Sequence, residues 1–345
     1  MRGSLPWLRC SVVLLALARL APPALAAEKI TLRLADSLPA GHVIHQMFTK
    51  PFMEEVSRLT HGKVVFQHFP GEQLGKAKDL LTLTQTGVAD IGYVVPSYAS
   101  DRMPLTAVAE LPGETPSTCA KMAAYWRLTR EGGALYEREF KPNGIRPLIP
   151  FMLSTYQVVL STRTISGLKD LSGVKIRSTG GAMDIMLRRI GAVPVRMPPP
   201  EIFESMQRGT IDAAMLPYQS VLSYDLTNLL KAGTRGVDFG TIALTYSIGE
   251  ARWRKLPGDV QQALLQAAEA VSKSGCAKVD AAEASAVEQV KAAGMKVVVM
   301  SKADEQAFDG IFAGVRDEWA RELDRRGKPG STVLGEFMKA LRGPK

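Results

Sequence analysis

Histidine and cysteine are scarce in this chain of 345 residues, which holds 4 of the first and 3 of the second. All four histidines, His42, His45, His61 and His68, fall in one stretch, with no HExxH arrangement and no cysteine at metal-ligand spacing. That excludes the common zinc patterns, and no metal or other cofactor is expected. The same clustering leaves Ser37, Ser97 and Ser220 without an evident histidine base. A nucleophile with its base, a carboxylate pair or a metal is what catalysis would need. No basic run is interleaved with aromatics, so nucleic acid is not an expected partner. Beyond the N-terminal leader no apolar run is long enough to cross a bilayer.

The leader has the pattern of an export signal. Arg2 and Arg9 form a basic start, Val12 to Leu20 an apolar stretch, and Ala24-Leu25-Ala26 a small-residue cleavage site. Cleavage is expected after Ala26, or after Ala27, which places the mature protein in the periplasm. Composition is that of an ordinary globular chain, with 46% hydrophobic and 22% charged residues. A mature chain of roughly 320 residues predicts two domains. The net charge of +9 includes Arg2, Arg9 and Arg19 of the leader, leaving about +6, which favours small anions over cations. Cys119 and Cys276 remain after processing; they could pair in an oxidising compartment, but sequence alone does not show that they meet.

What is present is a set of short strands that end in loops. Val174 to Ile176 reads as a strand, Arg177 closes it, Ser178 to Gly181 form a loop, and Ala182 to Ile190 a helix. Ligands of open α/β sheets sit just beyond the carboxyl ends of strands. A planar guanidinium there suits a carboxylate, and N–H groups at the following helix start favour the same charge. The alternative is an arginine solvated at a strand end.

One pattern occurs twice. Leu80 to Gly92 and Phe203 to Ala214 each read as a helix, a glycine stop, an aspartate and a strand. Asp90 and Asp212 are assigned to turn chemistry in preference to acid–base work. Strands at Lys29–Ala35 and Lys63–Phe69 with a helix at Phe48–Leu59 add β-α-β units. Pro257 to Ala293 reads as a long alanine-rich helix, Val297 to Met300 as a strand, and Ala303 to Leu323 as an amphipathic helix. The fold class is therefore α/β, two lobes each with a mixed sheet flanked by helices, and a ligand cleft between them. The expected division is residues 1–26 for the signal, 27–153 with 242–281 for lobe 1, and 154–241 with 282–345 for lobe 2. Hinge crossovers are expected near 151–155 and 239–244.

The mature chain resembles the solute-binding subunit of TRAP (tripartite ATP-independent periplasmic) transporters, the DctP-like group. The segments that carry the resemblance are Phe69 to Gly75, Gly167 to Arg177, Gly191 to Pro198, Glu201, Gly209 to Asp212, and Tyr246 to Leu256 with the long helix after Pro257. The resemblance implies a two-lobed protein that closes on an organic acid and hands it to integral-membrane permease subunits. It places the carboxylate-gripping arginine at Arg177, and Glu72 of the first motif among the candidate contacts. A second arginine of sialic-acid-binding members would fall at about Gln157, and an asparagine of the family at Leu216; both departures remove polar grip.

Tyr93, Tyr98, Phe151, Met152, Tyr156, Met215, Leu216 and Tyr218 fall at strand ends or just after them. Each taken singly is as readily a core residue. Together they favour a hydrophobic or aromatic monocarboxylate. Arg196, beside three prolines, is assigned to the surface. Two other classes compete. A sensor subunit would present the same site to a receptor, and an enzyme on this fold would need the catalytic groups noted above.

Overall fold

A computed structural model describes residues 29–113 and 117–343. The expected export signal and its cleavage site lie outside the described residues. Among the described residues, eleven strands form two mixed sheets. The strands are β1 (Ile30–Ala35), β2 (Val64–Phe69), β3 (Ile91–Val94), β4 (Ile145–Met152), β5 (Gln157–Leu160), β6 (Lys175–Ser178), β7 (Val193–Arg196), β8 (Ala213–Leu216), β9 (Ala232–Arg235), β10 (Ala243–Gly249) and β11 (Lys296–Val299). Around them pack α1 (Lys50–Leu59), α2 (Leu80–Gln85), α3 (Thr118–Thr129), α4 (Ala182–Arg189), α5 (Ile202–Gln207), α6 (Tyr218–Ser223), α7 (Glu250–Trp253), α8 (Gly258–Ala292), α9 (Lys302–Arg325) and α10 (Gly330–Leu341).

Sheet order is β2-β1-β3-β10-β4 in lobe 1 and β11-β9-β5-β8-β6-β7 in lobe 2. In lobe 1 the first three strands are parallel and β10 runs against both β3 and β4. In lobe 2, β7, β6 and β8 are parallel, and β5 runs against both β8 and β9. Strand β10 lies between two neighbours and is buried along its whole length, which is why Ala243 to Gly249 carries no charged residue.

The duplicated pattern is a duplicated structure. In each lobe a short helix stops at a left-handed glycine, Gly87 at φ 76° and Gly209 at φ 68°. The aspartate that follows then clips a neighbouring strand: the Asp90 carboxylate accepts the Arg33 N–H at 2.8 Å, and the Asp212 carboxylate accepts the Lys175 N–H at 3.0 Å. These aspartates do backbone bonding, as expected of them, but to the N–H of an adjacent strand and not to the turn between their own helix and strand. Gly92 must be glycine for a packing reason, since a Cβ there would sit 2.0 Å from Oγ1 of Thr84 on α2.

Helix α8 runs 35 residues, about 52 Å, and joins the lobes. Val260, Leu264, Ala267, Val271, Gly275, Val279 and Ala286 recur on one buried face. Gly275 makes room for Phe48, whose ring would lie 2.3 Å from an added Cβ. The final helix α10, expected with lobe 2, packs against α9 and also back against α3 and the turn Leu105–Glu110. No helix among the described residues is long and apolar enough to cross a membrane.

Cys119 on α3 and Cys276 on α8 form a disulfide across 157 residues of sequence. Closing so long a loop restricts the unfolded chain far more than the folded one. The pair Cys119→Ser with Cys276→Ser should therefore lower unfolding free energy by about 2–5 kcal/mol. Denaturant unfolding checks this, and a loss below about 0.5 kcal/mol would contradict it, being no more than an ordinary surface substitution.

Candidate functional site

Arg177 sits within β6 rather than after it, and no part of it is exposed. Its cross-strand neighbours are Ala214 on β8 and Val195 on β7, so a methyl group on one side leaves space for the arginine stem. The guanidinium reaches the backbone on both sides, at Met197 just past β7 and at Met215 within β8. Nε donates to the Met197 carbonyl at 2.9 Å, Nη1 to the Met215 carbonyl at 3.1 Å, and Nη2 to the Tyr98 hydroxyl at 3.5 Å. The Tyr156 hydroxyl lies close enough to feel the charge of Arg177. Among the described residues no carboxylate stands within ion-pair distance of Arg177. A buried cation with only neutral partners is costly, and an incoming carboxylate would relieve that cost.

The tyrosines come from different parts of the fold. Tyr98 belongs to a turn after β3 in lobe 1, and Tyr156 to the crossover between β4 and β5, where its N–H donates to the Gly240 carbonyl at 2.8 Å. Burial drives the Tyr98 phenol up to about 12, with Arg177 pulling weakly the other way, and burial raises Tyr156 as well. Both are therefore neutral donors at neutral pH. Because Tyr98 accepts from Arg177, its own proton is free to be donated onward. Tyr93, Tyr224 and Tyr246 are close enough to perturb one another and the first pair. Phe151 continues this aromatic floor, with its ring 4.5 Å from Phe48, 5.9 Å from Tyr246 and 6.3 Å from Tyr93.

Three residues expected near the ligand have their polar atoms engaged elsewhere. The Gln157 amide donates to the Val237 carbonyl and accepts from Thr234, each at 2.9 Å. Tyr218 donates to the Thr234 carbonyl at 2.7 Å. The Glu72 carboxylate accepts from the Ala77 N–H and from Lys76, each at 2.8 Å, and closes its own loop. Leu216 lies opposite Gln157 and packs in the smaller apolar cluster of lobe 2 with Tyr218, Val221 and Ile202. Arg196 is on the surface as expected, with 61% of its side chain exposed, and it pairs with Asp184. Asp184, in the first turn of α4, also accepts from the Ser178 hydroxyl at 2.5 Å.

Sequence reading missed Glu110, His42 and Tyr224. Glu110 is buried where the lobes meet; it accepts from Ser97 at 2.5 Å and from the Ala243 N–H at 3.1 Å. Its backbone explains Gly240, since a Cβ there would lie 2.2 Å from the Glu110 carbonyl. No periodicity marks such a residue, because it is the one charged position in a short, mostly apolar turn.

Two lobes of mixed sheet, crossed by several connections and meeting over a buried unpaired cation, define the class of bilobal solute-binding proteins. The chain belongs to the bacterial extracellular solute-binding protein family 7, DctP, whose model matches residues 34–322. A solute-binding protein of Albidiferax ferrireducens is 28% identical over 283 residues, covering 80% of this chain and 82% of that one. A TRAP solute-binding protein from Rhodoferax ferrireducens, solved with copurified benzoate, has the same fold with a TM-score of 0.83 at 24% identity, covering 91% of this chain and 98% of that one. A marine metagenome TRAP protein specific for aromatic acids, solved with 3-hydroxybenzoate, gives a TM-score of 0.85 at 22% identity, with coverage of 91% and 98%. The family is one of extracellular solute-binding proteins.

Burial, the largest influence, raises the Glu110 carboxyl from 4.5 to about 7, while Ser97, the Ala243 N–H and Arg177 oppose it. The folded state then holds this proton more tightly than the unfolded chain. The resulting stability is full below about pH 4.5 and is lost as pH rises through about 7. The difference in unfolding free energy between the wild type and Glu110→Gln should therefore shift against the wild type across that window. A pH-independent difference in urea titrations would contradict the assignment.

Proposed function

We propose that this protein is the periplasmic receptor of a TRAP-type transporter and captures an aromatic or branched hydrophobic monocarboxylate, which it delivers to integral-membrane permease subunits. One observation carries the reading: Arg177 is fully buried, with carbonyl and phenol partners but no carboxylate. The ligand carboxylate completes that set, receiving the guanidinium and the Tyr98 and Tyr156 hydroxyls. The apolar body then lies over Tyr93, Tyr224 and Phe151, gaining about 25 cal/mol per Å² of apolar surface removed from water. Aromatic acids named with structures of the same fold support this choice of body.

A second carboxylate would have no such reception. Gln157 carries no charge and its amide is already paired, and Leu216 neither donates nor accepts. Dicarboxylates and sugar acids should therefore bind well behind benzoate-like acids in a thermal-shift panel. Tightest binding by succinate, malate or a sialic acid would overturn the ordering. Arg177→Ala should weaken binding of the best acid by about two to three and a half decades, and Arg177→Lys should recover only part, since one ammonium cannot reproduce the planar fork. Calorimetry finding Arg177→Ala within a few-fold of wild type would remove the anchor.

Contacts from both lobes give the ligand a higher affinity for the closed arrangement than for an open one. The hinge is assigned to the crossovers at 151–155 and 239–244, where Tyr156 bonds Gly240 and Thr241 bonds the Leu153 carbonyl. Small-angle scattering should show a smaller radius of gyration at saturating ligand. An unchanged profile would contradict closure.

A further inference from the structure

His42 lies in the loop after β1 and is 1% exposed. Its backbone is tied into that loop, donating to the Pro39 carbonyl and accepting from the His45 N–H, both at 2.9 Å. One ring nitrogen is committed as well: Nδ1 accepts the Ile44 N–H at 3.1 Å. An accepting Nδ1 carries no proton, so in the neutral ring the proton is on Nε2. Burial pushes this imidazole down to about 3, so the neutral form holds throughout the physiological range. Nε2–H is buried and has no partner among the described residues.

The position of this idle donor gives it meaning. The His42 ring is 5.0 Å from the ring of Tyr224, which ends α6 in lobe 2. Val43 donates across the same seam to Ser223 at 3.5 Å. Tyr224 in turn lies in the field of Tyr98, Tyr156 and Arg177. His42 thus borders, from lobe 1, the aromatic group that Arg177 enters from lobe 2. An apolar residue could have filled the space without leaving a buried donor unsatisfied, which is a substantial cost.

We infer that His42 is a specificity-determining residue, whose Nε2–H donates to an oxygen substituent on the body of the aromatic acid. This rests on the Arg177 reading above and adds a second fixed point: the carboxylate at one end, a ring hydroxyl, methoxy or carbonyl oxygen towards the other. A donor aimed at such an oxygen separates oxygenated aromatic acids from the bare ring, which leaves the donor unpaired.

Two substitutions separate this role from a structural one. His42→Asn places an amide oxygen where Nδ1 stands, keeping the bond to the Ile44 N–H but losing the reach of Nε2. His42→Gln extends a donor towards the Nε2 position. Calorimetric titrations of the full mature protein would use benzoate and the 2-, 3- and 4-hydroxybenzoates. The wild type should favour its best hydroxybenzoate over benzoate by about tenfold or more. His42→Asn should abolish that ratio while leaving the unfolding midpoint and benzoate affinity little changed, and His42→Gln should retain part of it. An undiminished ratio in His42→Asn, or no hydroxybenzoate preference in the wild type, would overturn the role of His42 and leave Arg177 untouched. If no member of the series binds the wild type, both readings fall.

Discussion

A guanidinium withdrawn from water with no carboxylate beside it is the constraint on which this structure turns. Such a group is tolerated only where fixed dipoles point at it. Arg177 finds them in the carbonyls of Met197, just past the end of β7, and of Met215, within β8. The parallel β7-β6-β8 order, with β6 between the other two, brings both carbonyls to the guanidinium. The third partner, Tyr98, belongs to the other lobe, so the cation and the meeting of the lobes are one feature.

The surroundings are arranged to leave the cation unneutralised. Asp36, which touches the aromatic floor at Tyr246, is held by His68 at 2.9 Å, by the Leu38 N–H at 3.0 Å and by Tyr246 at 3.3 Å. Asp184 is taken by Arg196 and Ser178. Glu110 is near enough to feel Arg177, yet its oxygens are turned to Ser97 and the Ala243 N–H. These three carboxylates are thus bound elsewhere, and none of them lies within ion-pair distance of Arg177.

Much of this was legible in the residues. Strand and helix periodicity located most elements within a residue or two, and the glycine–aspartate repeat announced two related lobes. Arg177 was legible because a charged residue at a buried strand end, followed by small residues, has few structural uses. The unread parts have physical reasons. Helix α10 follows a short link after α9, and nothing in its local pattern says that it doubles back onto α3. The pairing of Cys119 with Cys276 depends on α3 meeting α8, a tertiary fact. Gln157 and Tyr218 have the right chemistry for a ligand, but Thr234, far away in sequence, claims their hydrogen bonds. His42 was passed over because it lacked metal-ligand spacing, whereas its place in the structure follows from which of its nitrogens the loop consumes.

The central claim is that the ligand supplies the carboxylate missing beside Arg177. A crystal structure of the mature protein with its tightest-binding aromatic acid tests this most directly. The account predicts the ligand carboxylate bidentate on the Arg177 guanidinium, within hydrogen-bonding distance of the Tyr98 and Tyr156 hydroxyls, and the ring against Tyr224. A ligand whose carboxylate lies elsewhere, with Arg177 still holding only the Met197 and Met215 carbonyls and Tyr98, would contradict it.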